Sequence, residues 1–210
     1  IVSCRRARLT LCEPANWSGS KNHGLPAGTI VFSAQLSPTS PSLPNEFSAP
    51  SPQAWSNASS LPTFLGNHDM GRIGYFLTVD NPGAANAELL ARSKLAHGLM
   101  FFARGQPVIF YGDEQGFTGD GGDKLARQDM FPSQVLEYND DDLIGTDATT
   151  ADDNFDPTHP IYQALASYAE IYHAHPALRR GAQIHRYSQN SPGVYAFSRI
   201  ERTEKIEYLV

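Results

Sequence analysis

The segment PVIFYGDE, residues 107–114, restricts the fold of this chain more than any other stretch. Val108 to Tyr111 form a continuous run of β-branched and aromatic residues, which is typical of a parallel strand buried on both faces. The preceding residues NAELLARSKLAHGLMFFARG predict a helix from Asn86 to Arg104, because apolar residues recur at helical spacing and Gly105 follows as a C-terminal glycine. A helix that leads directly into a buried strand indicates an α/β fold.

Further strand-like and helical segments extend this pattern. Leu61 to Leu65 is a short apolar run bounded by glycine, so the predicted order is strand, helix, strand. The stretch HPIYQALASYAEIYHAH predicts a later helix, and QIHRYSQNSPGVYAFSRI with IEYLV predicts antiparallel strands. This order fits the C-terminal portion of a (β/α)8 TIM-type barrel, followed by the start of a small antiparallel β domain.

Length and charge narrow the classes of function. The 210 residues suffice for one sizeable domain or for part of a larger one, and a start at Ile1 rather than Met predicts a longer protein. The net charge of −6 argues against nucleic acid as a partner, and no apolar run approaches the length of a membrane span. Cys4 and Cys12 are too few for a disulfide framework or a zinc site.

The first 60 residues differ in composition from the rest. They are rich in Ser and Pro, and Glu13 and Glu46 are the only acidic residues before Asp69. Two interpretations stay open: an irregular, disordered or linker segment, or a non-native, frame-shifted stretch joined near Ser56. The predicted parts are residues 1–60, a barrel portion at 61–177 and the start of the β domain at 178–210.

Three polar residues follow the first predicted strand. In FLGNHDMGRIG, Asn67, His68 and Asp69 come directly after the apolar run, and Gly71 and Gly74 follow them. Polar side chains at the C-terminal end of a buried strand are where α/β folds place their chemistry, and glycine allows the loop to turn sharply. The tripeptide is therefore a candidate site.

Three segments of the chain resemble the α-amylase superfamily of glycoside hydrolases, glycoside hydrolase family 13. FLGNHDMGRIG resembles the motif at the seventh barrel strand of that family. GQPVIFYGDEQGFTGDGGDKLARQDMF is similar to its strand-eight region, with a downstream Arg-x-x-Met, and HPALRRGAQIHRYSQNSPGVYAFSR is similar to its junction with the C-terminal β domain. The segments occur in the family's order and cover roughly residues 61–210.

The resemblance implies a retaining enzyme that cleaves or transfers α-glucosidic bonds with a carboxylate nucleophile and a carboxylic acid. Asp69 matches neither; it matches the catalytic aspartate that grips sugar hydroxyls more tightly as the ring flattens toward the transition state. His68 matches a histidine that hydrogen-bonds the same sugar. Asn67 and Arg72 complete the predicted substrate-binding set. Asn67 is interpreted chiefly as a loop-shaping residue, and Arg72 is expected to pair with Asp69, to lie against a neighbouring sugar or to face solvent.

The two reacting carboxylates of that mechanism have no match in the sequence. No Arg-x-Asp motif of the kind that carries the nucleophile is present, and Glu13 is a poor candidate for the general acid because its surroundings differ. We therefore expect a portion of a glycosidase that is inactive alone and whose parent protein acts on α-glucans or oligosaccharides. The alternative is a non-catalytic remnant that keeps the barrel for sugar binding or as a scaffold. The compartment stays open, with a preference for a secreted or periplasmic protein.

Other charged clusters are interpreted as structural. Asp113 and Glu114 follow the buried run and are expected to support the catalytic face of the barrel. The resemblance allows calcium in the parent protein, but the acidic loops lack EF-hand spacing and are expected to be solvated. These loops contain Asp120, Asp123, Asp129, Asp140, Asp141, Asp142, Asp152 and Asp153. His173 and His175 are two residues apart and do not share a helix face, which disfavours zinc.

Overall fold

The computed structural model describes residues 58–190 and 193–210, together with two short strands, β1 (Arg8–Leu11) and β2 (Ile30–Ser33). β1 and β2 pair antiparallel, with Arg8 opposite Ser33 and Leu11 opposite Ile30. The rest of residues 1–57 lies outside the described part, and so do the irregular or non-native segment predicted there and the candidate Glu13. The chain divides into two compact units, residues 61–175 and residues 1–60 with 176–210.

The unit at 61–175 begins with a parallel strand pair. β3 (Pro62–Thr63) lies beside β4 (Gln106–Pro107), and the chain between them forms the helices α1 (Ile73–Asp80) and α2 (Asn86–Phe102). Two backbone hydrogen bonds extend the pairing, from the Gln106 amide to the Leu61 carbonyl at 2.7 Å and from the Val108 amide to the Thr63 carbonyl at 2.9 Å. The predicted strand–helix–strand order with parallel pairing is therefore present.

The two predicted strands are shorter and less buried than their apolar runs indicated. β4 ends before the run Val108–Tyr111 begins, and Val108 and Tyr111 are 46% and 43% exposed. The prediction that this run is buried on both faces is therefore wrong for the described chain. Its physical reason is that β3 and β4 have only each other as ladder partners among the described residues, which form no closed barrel.

Helix α2 ends at Phe102, two residues before the predicted end. Ala103 is already extended, although its amide still donates to the Leu99 carbonyl. Gly105 has a φ of +130°, and a Cβ on it would lie 1.8 Å from Thr63 Oγ1, so the return of the chain toward β3 requires glycine here. The helix stops because the backbone must turn to form β4.

A third helix, α3 (Pro160–Ala174), covers the buried face of α2. The predicted helix is present; of its apolar residues at helical spacing, Ile161, Leu165 and Tyr168 are buried, whereas Tyr172 is half-buried. The ring of Tyr168 lies 5.5 Å from that of Phe102 in an edge arrangement, which is favourable for aromatic pairs. α3 begins at the cap residue His159, whose Nδ1 accepts from the Ile161 amide at 3.2 Å.

The long segment between β4 and α3 consists of loops and short 3-10 helices. These helices are Asp113–Gln115, Asp123–Ala126 and Leu136–Tyr138. Two loop-to-loop bonds hold the segment together, from the Ile144 amide to the Gly116 carbonyl at 2.9 Å and from Thr118 Oγ1 to the Asp142 carbonyl at 2.9 Å. This segment contacts the loop of the candidate site, since the Asp123 amide donates to the Asp69 carbonyl and Gln128 accepts from Arg72.

The other unit contains α4 (Pro176–Arg180) and a three-stranded antiparallel sheet. Its strands are β5 (Ala182–Tyr187), β6 (Ala196–Glu201) and β7 (Ile206–Leu209). The antiparallel strands expected from the alternating pattern are therefore present, while Ser191 and Pro192 of the predicted turn lie outside the described residues. Across the described residues, no helix combines the length and apolar character needed to cross a membrane.

Candidate functional site

The loop after β3 is shaped by Asn67. Its backbone exchanges two hydrogen bonds with Gly71, at 3.0 and 3.1 Å, and its Oδ1 accepts from the amides of Asp69 and Met70 at 2.8 and 2.9 Å. Gly71 closes this turn with a φ of +105°, a conformation that favours glycine. Both the side-chain oxygen and the backbone oxygen of Asn67 thus accept hydrogen bonds within the loop, as expected for a loop-shaping residue.

His68 and Asp69 stand exposed at the top of this turn. Their side chains are 60% and 72% exposed, and His68 Nε2 lies 3.3 Å from Asp69 Oδ1. Both side chains therefore present polar atoms to solvent from one short loop at the C-terminal end of a parallel strand. An imidazole and a carboxylate so placed can contact neighbouring hydroxyls of one polyol.

Arg127, which the sequence placed in the glycine-rich loop without a site role, also reaches Asp69. Arg127 Nη2 lies 3.8 Å from Asp69 Oδ1 and 2.5 Å from Asp123 Oδ1, and the Asp123 amide donates to the Asp69 carbonyl at 3.0 Å. Asp123 has a φ of +52°, so the glycine-rich loop bends sharply where it meets the candidate site. The only sequence signal for this contact is that Arg127 is the arginine of the Arg-x-x-Met segment.

Arg72 lies beneath the loop rather than on its surface. Its side chain is fully buried; Nε donates to Gln128 Oε1 at 2.9 Å, and Nη1 donates to the Tyr111 carbonyl at 2.6 Å. Nη1 also lies 3.3 Å from Asp113 Oδ1. The predicted pairing with Asp69 and the solvent-facing alternative are therefore both wrong. Three acceptors behind the loop, one from the backbone and two from side chains, bind the guanidinium. The spacing of residues in the sequence does not reveal these contacts, because the acceptors are distant along the chain.

Aromatic rings surround the Arg72 guanidinium on its remaining sides. Its Cζ lies 4.5 to 5.1 Å from three ring centroids, those of Phe110, Tyr111 and Phe117. Such contacts with the faces of aromatic rings stabilise a buried cation. Within the described part of the chain, Arg72 Nη2 and Glu114 Oε2 are buried without a hydrogen-bond partner.

Burial shifts the pKa values of both Arg72 and Asp113. Removal from water raises the pKa of Asp113 to about 7, although Arg72 acts in the opposite direction. Burial also lowers the pKa of Arg72, and Asp113 opposes that change. Both directions have the same cause, because the single 3.3 Å contact compensates only part of the lost hydration. Asp113 thus supports the loop from below, in line with the structural interpretation of its sequence position.

The structure groups the acidic residues differently from the sequence. Asp120 comes together with Asp140 and Asp141, and not with Asp123 or Asp129 of its own loop. Among the described residues, no other group of three His, Cys, Asp or Glu side chains has metal-binding spacing, and His173 and His175 belong to none.

Comparison with known proteins identifies the family. Residues 33–171 match the alpha amylase catalytic domain. The chain is 54% identical over 154 residues to an alpha-amylase of Streptomyces lividans, covering 73% of this chain and 17% of that protein. It is 28% identical over 143 residues to a beta/alpha-amylase of Paenibacillus polymyxa, covering 68% of this chain and 10% of that protein. The solved alpha-amylase of Geobacillus thermoleovorans, complexed with acarbose, aligns with a TM-score of 0.47 and 26% identity over 69% of this chain and 25% of that chain.

The match to the family's catalytic domain covers the candidate loop and the network beneath it. The matched range of the family, residues 33–171, includes His68, Asp69, Arg72, Asp113 and Arg127. It begins upstream of Ser56 and covers more than half of the 210 residues, although the chain spans only 17% of the Streptomyces relative. The chain belongs to the alpha-amylase family of glycoside hydrolases, with residues 33–171 matching its catalytic domain.

Proposed function

We propose that this chain supplies a sugar-binding loop of a retaining enzyme that acts on α-glucosidic bonds of α-glucans or oligosaccharides. The observation that carries the proposal is the exposed pair at the end of β3, where His68 Nε2 and Asp69 Oδ1 are 3.3 Å apart. Family membership and the relatives' names, alpha-amylase and beta/alpha-amylase, support the choice of substrate class. The parent enzyme would be a hydrolase or transglycosidase of the same family.

Asp69 acts as the transition-state-stabilising residue in this proposal. As the sugar at the cleavage point flattens toward an oxocarbenium ion, its ring hydroxyls change direction, and an acceptor aligned with the flattened ring binds that state better than the ground state. Arg127, at 3.8 Å from Asp69 Oδ1, limits the directions in which the carboxylate can point. His68 donates a hydrogen bond to the same sugar, and Asn67 maintains the turn that presents both side chains.

Arg72 contributes indirectly in this proposal. Its complete burial leaves no surface for a sugar, so we assign it a positioning role in place of the predicted contact with substrate. It links the residue after the loop to the Tyr111 carbonyl and to Gln128, which fixes the underside of the turn.

The nucleophile and general acid belong to another part of the parent protein. Hydrolysis with retention needs two carboxylates on opposite sides of the scissile bond, and Asp69 serves as neither. The chain alone is therefore proposed to bind sugar without hydrolysing it. Residues 61–177 would complete the barrel of the parent, and residues 178–210 would begin its C-terminal β domain.

Saturation-transfer NMR with maltotriose tests the sugar contact on the 210-residue chain. We expect a signal for the wild type and a reduction of roughly tenfold for Asp69→Asn and His68→Ala, since hydrogen bonds to charged groups contribute about 1.5–3 kcal/mol. Asp80→Asn is the matched control, because Asp80 is an exposed carboxylate at the end of α1, away from the loop. Equal signals for Asp69→Asn and Asp80→Asn would overturn the assignment.

A second readout separates the enzyme from a sugar-binding remnant. The isolated chain is expected to release no reducing sugar from starch, and release above the blank would contradict the absence of a nucleophile. In the longer parent protein, Asp69→Asn is expected to lower kcat by roughly 100- to 1,000-fold, the range seen when one transition-state hydrogen bond is removed. A parent protein that binds maltotriose but turns over no α-glucan would favour the remnant.

A further inference from the structure

A histidine, His159, caps the N-terminus of α3. Its Nδ1 accepts from the Ile161 amide at 3.2 Å, while Pro160 at the start of the helix has no amide to satisfy. Serine, threonine, asparagine and aspartate are the usual N-cap residues, because a side-chain oxygen accepts from the first free amides of the helix. An imidazole nitrogen can replace such an oxygen only while that nitrogen is unprotonated.

The contacts of the ring define its neutral form. Because Nδ1 of His159 accepts a hydrogen bond, the proton of the neutral ring lies on Nε2. The residue is only 3% exposed, and its Nε2 has no hydrogen-bond partner among the described residues. A Cβ on Gly145 would lie 3.5 Å from His159 Cε1, so the neighbouring loop packs closely against the ring. The ring thus serves the helix with one nitrogen and is shielded from water at the other.

The surroundings of His159 oppose its protonation. Burial lowers the pKa of His159 below its ordinary value of 6.5 and outweighs the opposite effect of Asp156, while Lys94 on α2 acts in the same direction as burial. The carbonyl groups of Ile144 and Glu114 favour the charged ring but do not compensate for its lost hydration. The positive end of the helix dipole also disfavours a cation at this position.

The cap lies where α3 meets the turn that carries Asp113. The Asp156 carbonyl accepts from the His159 amide at 3.2 Å and from Gln115 Nε2 at 3.0 Å. Gln115 ends the 3-10 helix that begins at Asp113, and Asp113 lies 3.3 Å from Arg72 beneath the candidate loop. The residues around His159 therefore connect the start of α3 to the support of the candidate loop.

We propose that His159 is an acid-sensitive switch, in which the neutral ring caps α3 and the protonated ring releases it. A proton on Nδ1 would point at the Ile161 amide, so the cap bond would be lost and the charged ring would turn toward water. The loop at Asp156 would then lose its anchor on α3, and Gln115 would lose a fixed acceptor. The switch is a property of the fold and does not depend on sugar binding.

The pH dependence of folding, compared between the wild type and a variant that does not titrate, tests the switch. His159→Asn supplies an amide oxygen that caps a helix at every pH. A proton that the folded state excludes lowers the folded-to-unfolded ratio by up to about tenfold per pH unit below about 6.5. Urea unfolding of the 210-residue chain should therefore show a wild type that becomes progressively less stable than His159→Asn below this pH. Asp113 and His97 are present in both chains, so their titration cancels in the comparison.

A control variant and a local measurement complete the test. His173→Asn is the matched control, because His173 is an exposed histidine near the opposite end of the same helix, and its stability should follow the wild type at every pH. Hydrogen exchange reports the cap directly and needs only the wild type, so it decides even if His159→Asn does not fold. The protection factor of the Ile161 amide should fall by up to roughly tenfold between about pH 7.5 and 5.5.

Three results would overturn the proposal. The first is a stability difference between the wild type and His159→Asn that does not change with pH. The second is an equal change in His173→Asn, which would assign the effect to histidines in general. The third is an Ile161 amide whose protection factor in the wild type stays constant over this pH range.

Discussion

The top and the underside of the loop after β3 differ in nearly every physical property. On top, His68 and Asp69 are mostly exposed and lie 3.3 Å apart, and Asp69 lies 3.8 Å from Arg127. Underneath, Arg72 is completely buried and bonded to Gln128, Tyr111 and Asp113. The comparison indicates that the two faces have different roles: the exposed face is free to bind a ligand, and the buried face stabilises the loop.

The largest loss of folding stability is expected from Arg72→Met, which tests whether the buried face carries the stability of the loop. The substitution leaves Asp113, the Gln128 carbonyl oxygen and the Tyr111 carbonyl without their shared donor, and loss of one partner of a buried ion pair destabilises by about 3–5 kcal/mol. Urea unfolding followed by circular dichroism, at a pH above the Asp113 pKa of about 7, measures the free energy of unfolding. Arg92→Met is the control, since Arg92 forms an exposed pair with Glu88 that contributes only about 0.3–0.5 kcal/mol. Similar losses for both variants would contradict the assigned role of Arg72.

The pH dependence of folding stability tests whether Asp113 is buried beneath the loop as the structure indicates. The folded chain retains the Asp113 proton up to about pH 7, whereas the unfolded chain releases it near 3.8, so between these values the folded state binds more protons. The contribution of this group to the free energy of unfolding is therefore fully present below about pH 4 and decreases as the pH rises to about 7. Urea unfolding at a series of pH values should show this decrease in the wild type and a flatter profile in Asp113→Asn. Parallel profiles would mean that Asp113 does not titrate in this range.

A smaller loss of folding stability is expected from a substitution of Gly71, which closes the turn between the exposed and the buried face of the loop. Gly71→Ala places a Cβ at a φ of +105° and 2.9 Å from the Gly121 carbonyl oxygen, which should cost about 1–3 kcal/mol of folding free energy. Gly83→Ala is the matched control, because Gly83 has a φ of +82° with open space around it, and its cost should be only about 1 kcal/mol. The difference in Tm between the two variants measures the contact with the glycine-rich loop. A larger loss in Gly83→Ala would count against that contact.

The smallest effect on stability is expected at the exposed face. Asp69→Asn and His68→Ala should change the free energy of unfolding by less than about 0.5 kcal/mol, because neither side chain is buried. The same variants should lose the maltotriose signal, so binding and stability separate at this face. A large destabilisation by Asp69→Asn would show that the top of the loop also supports the fold.

Segments whose structure depends on local pattern were predictable from the sequence. The periodic apolar residues of α2 and α3 set the existence of these helices, and the alternation in residues 182–209 indicated the antiparallel strands. The position of Asn67, His68 and Asp69 after a strand, and the resemblance to the α-amylase superfamily, also came from the sequence. These features share one cause, since each rests on neighbours within a few residues or on a contiguous motif.

Contacts between distant segments were decided only in the tertiary structure. Arg72 meets Asp113 across 41 residues, and Asp120 meets Asp141 through loop bonds that no periodicity encodes. The exposure of Val108–Tyr111 likewise depends on which strands lie beside β4, and not on the apolar run itself. By itself the sequence determined the helices, the β pattern, the candidate loop and the family. Tertiary packing decided which charges are buried and which carboxylates converge, because desolvation and ion pairing depend on three-dimensional neighbours.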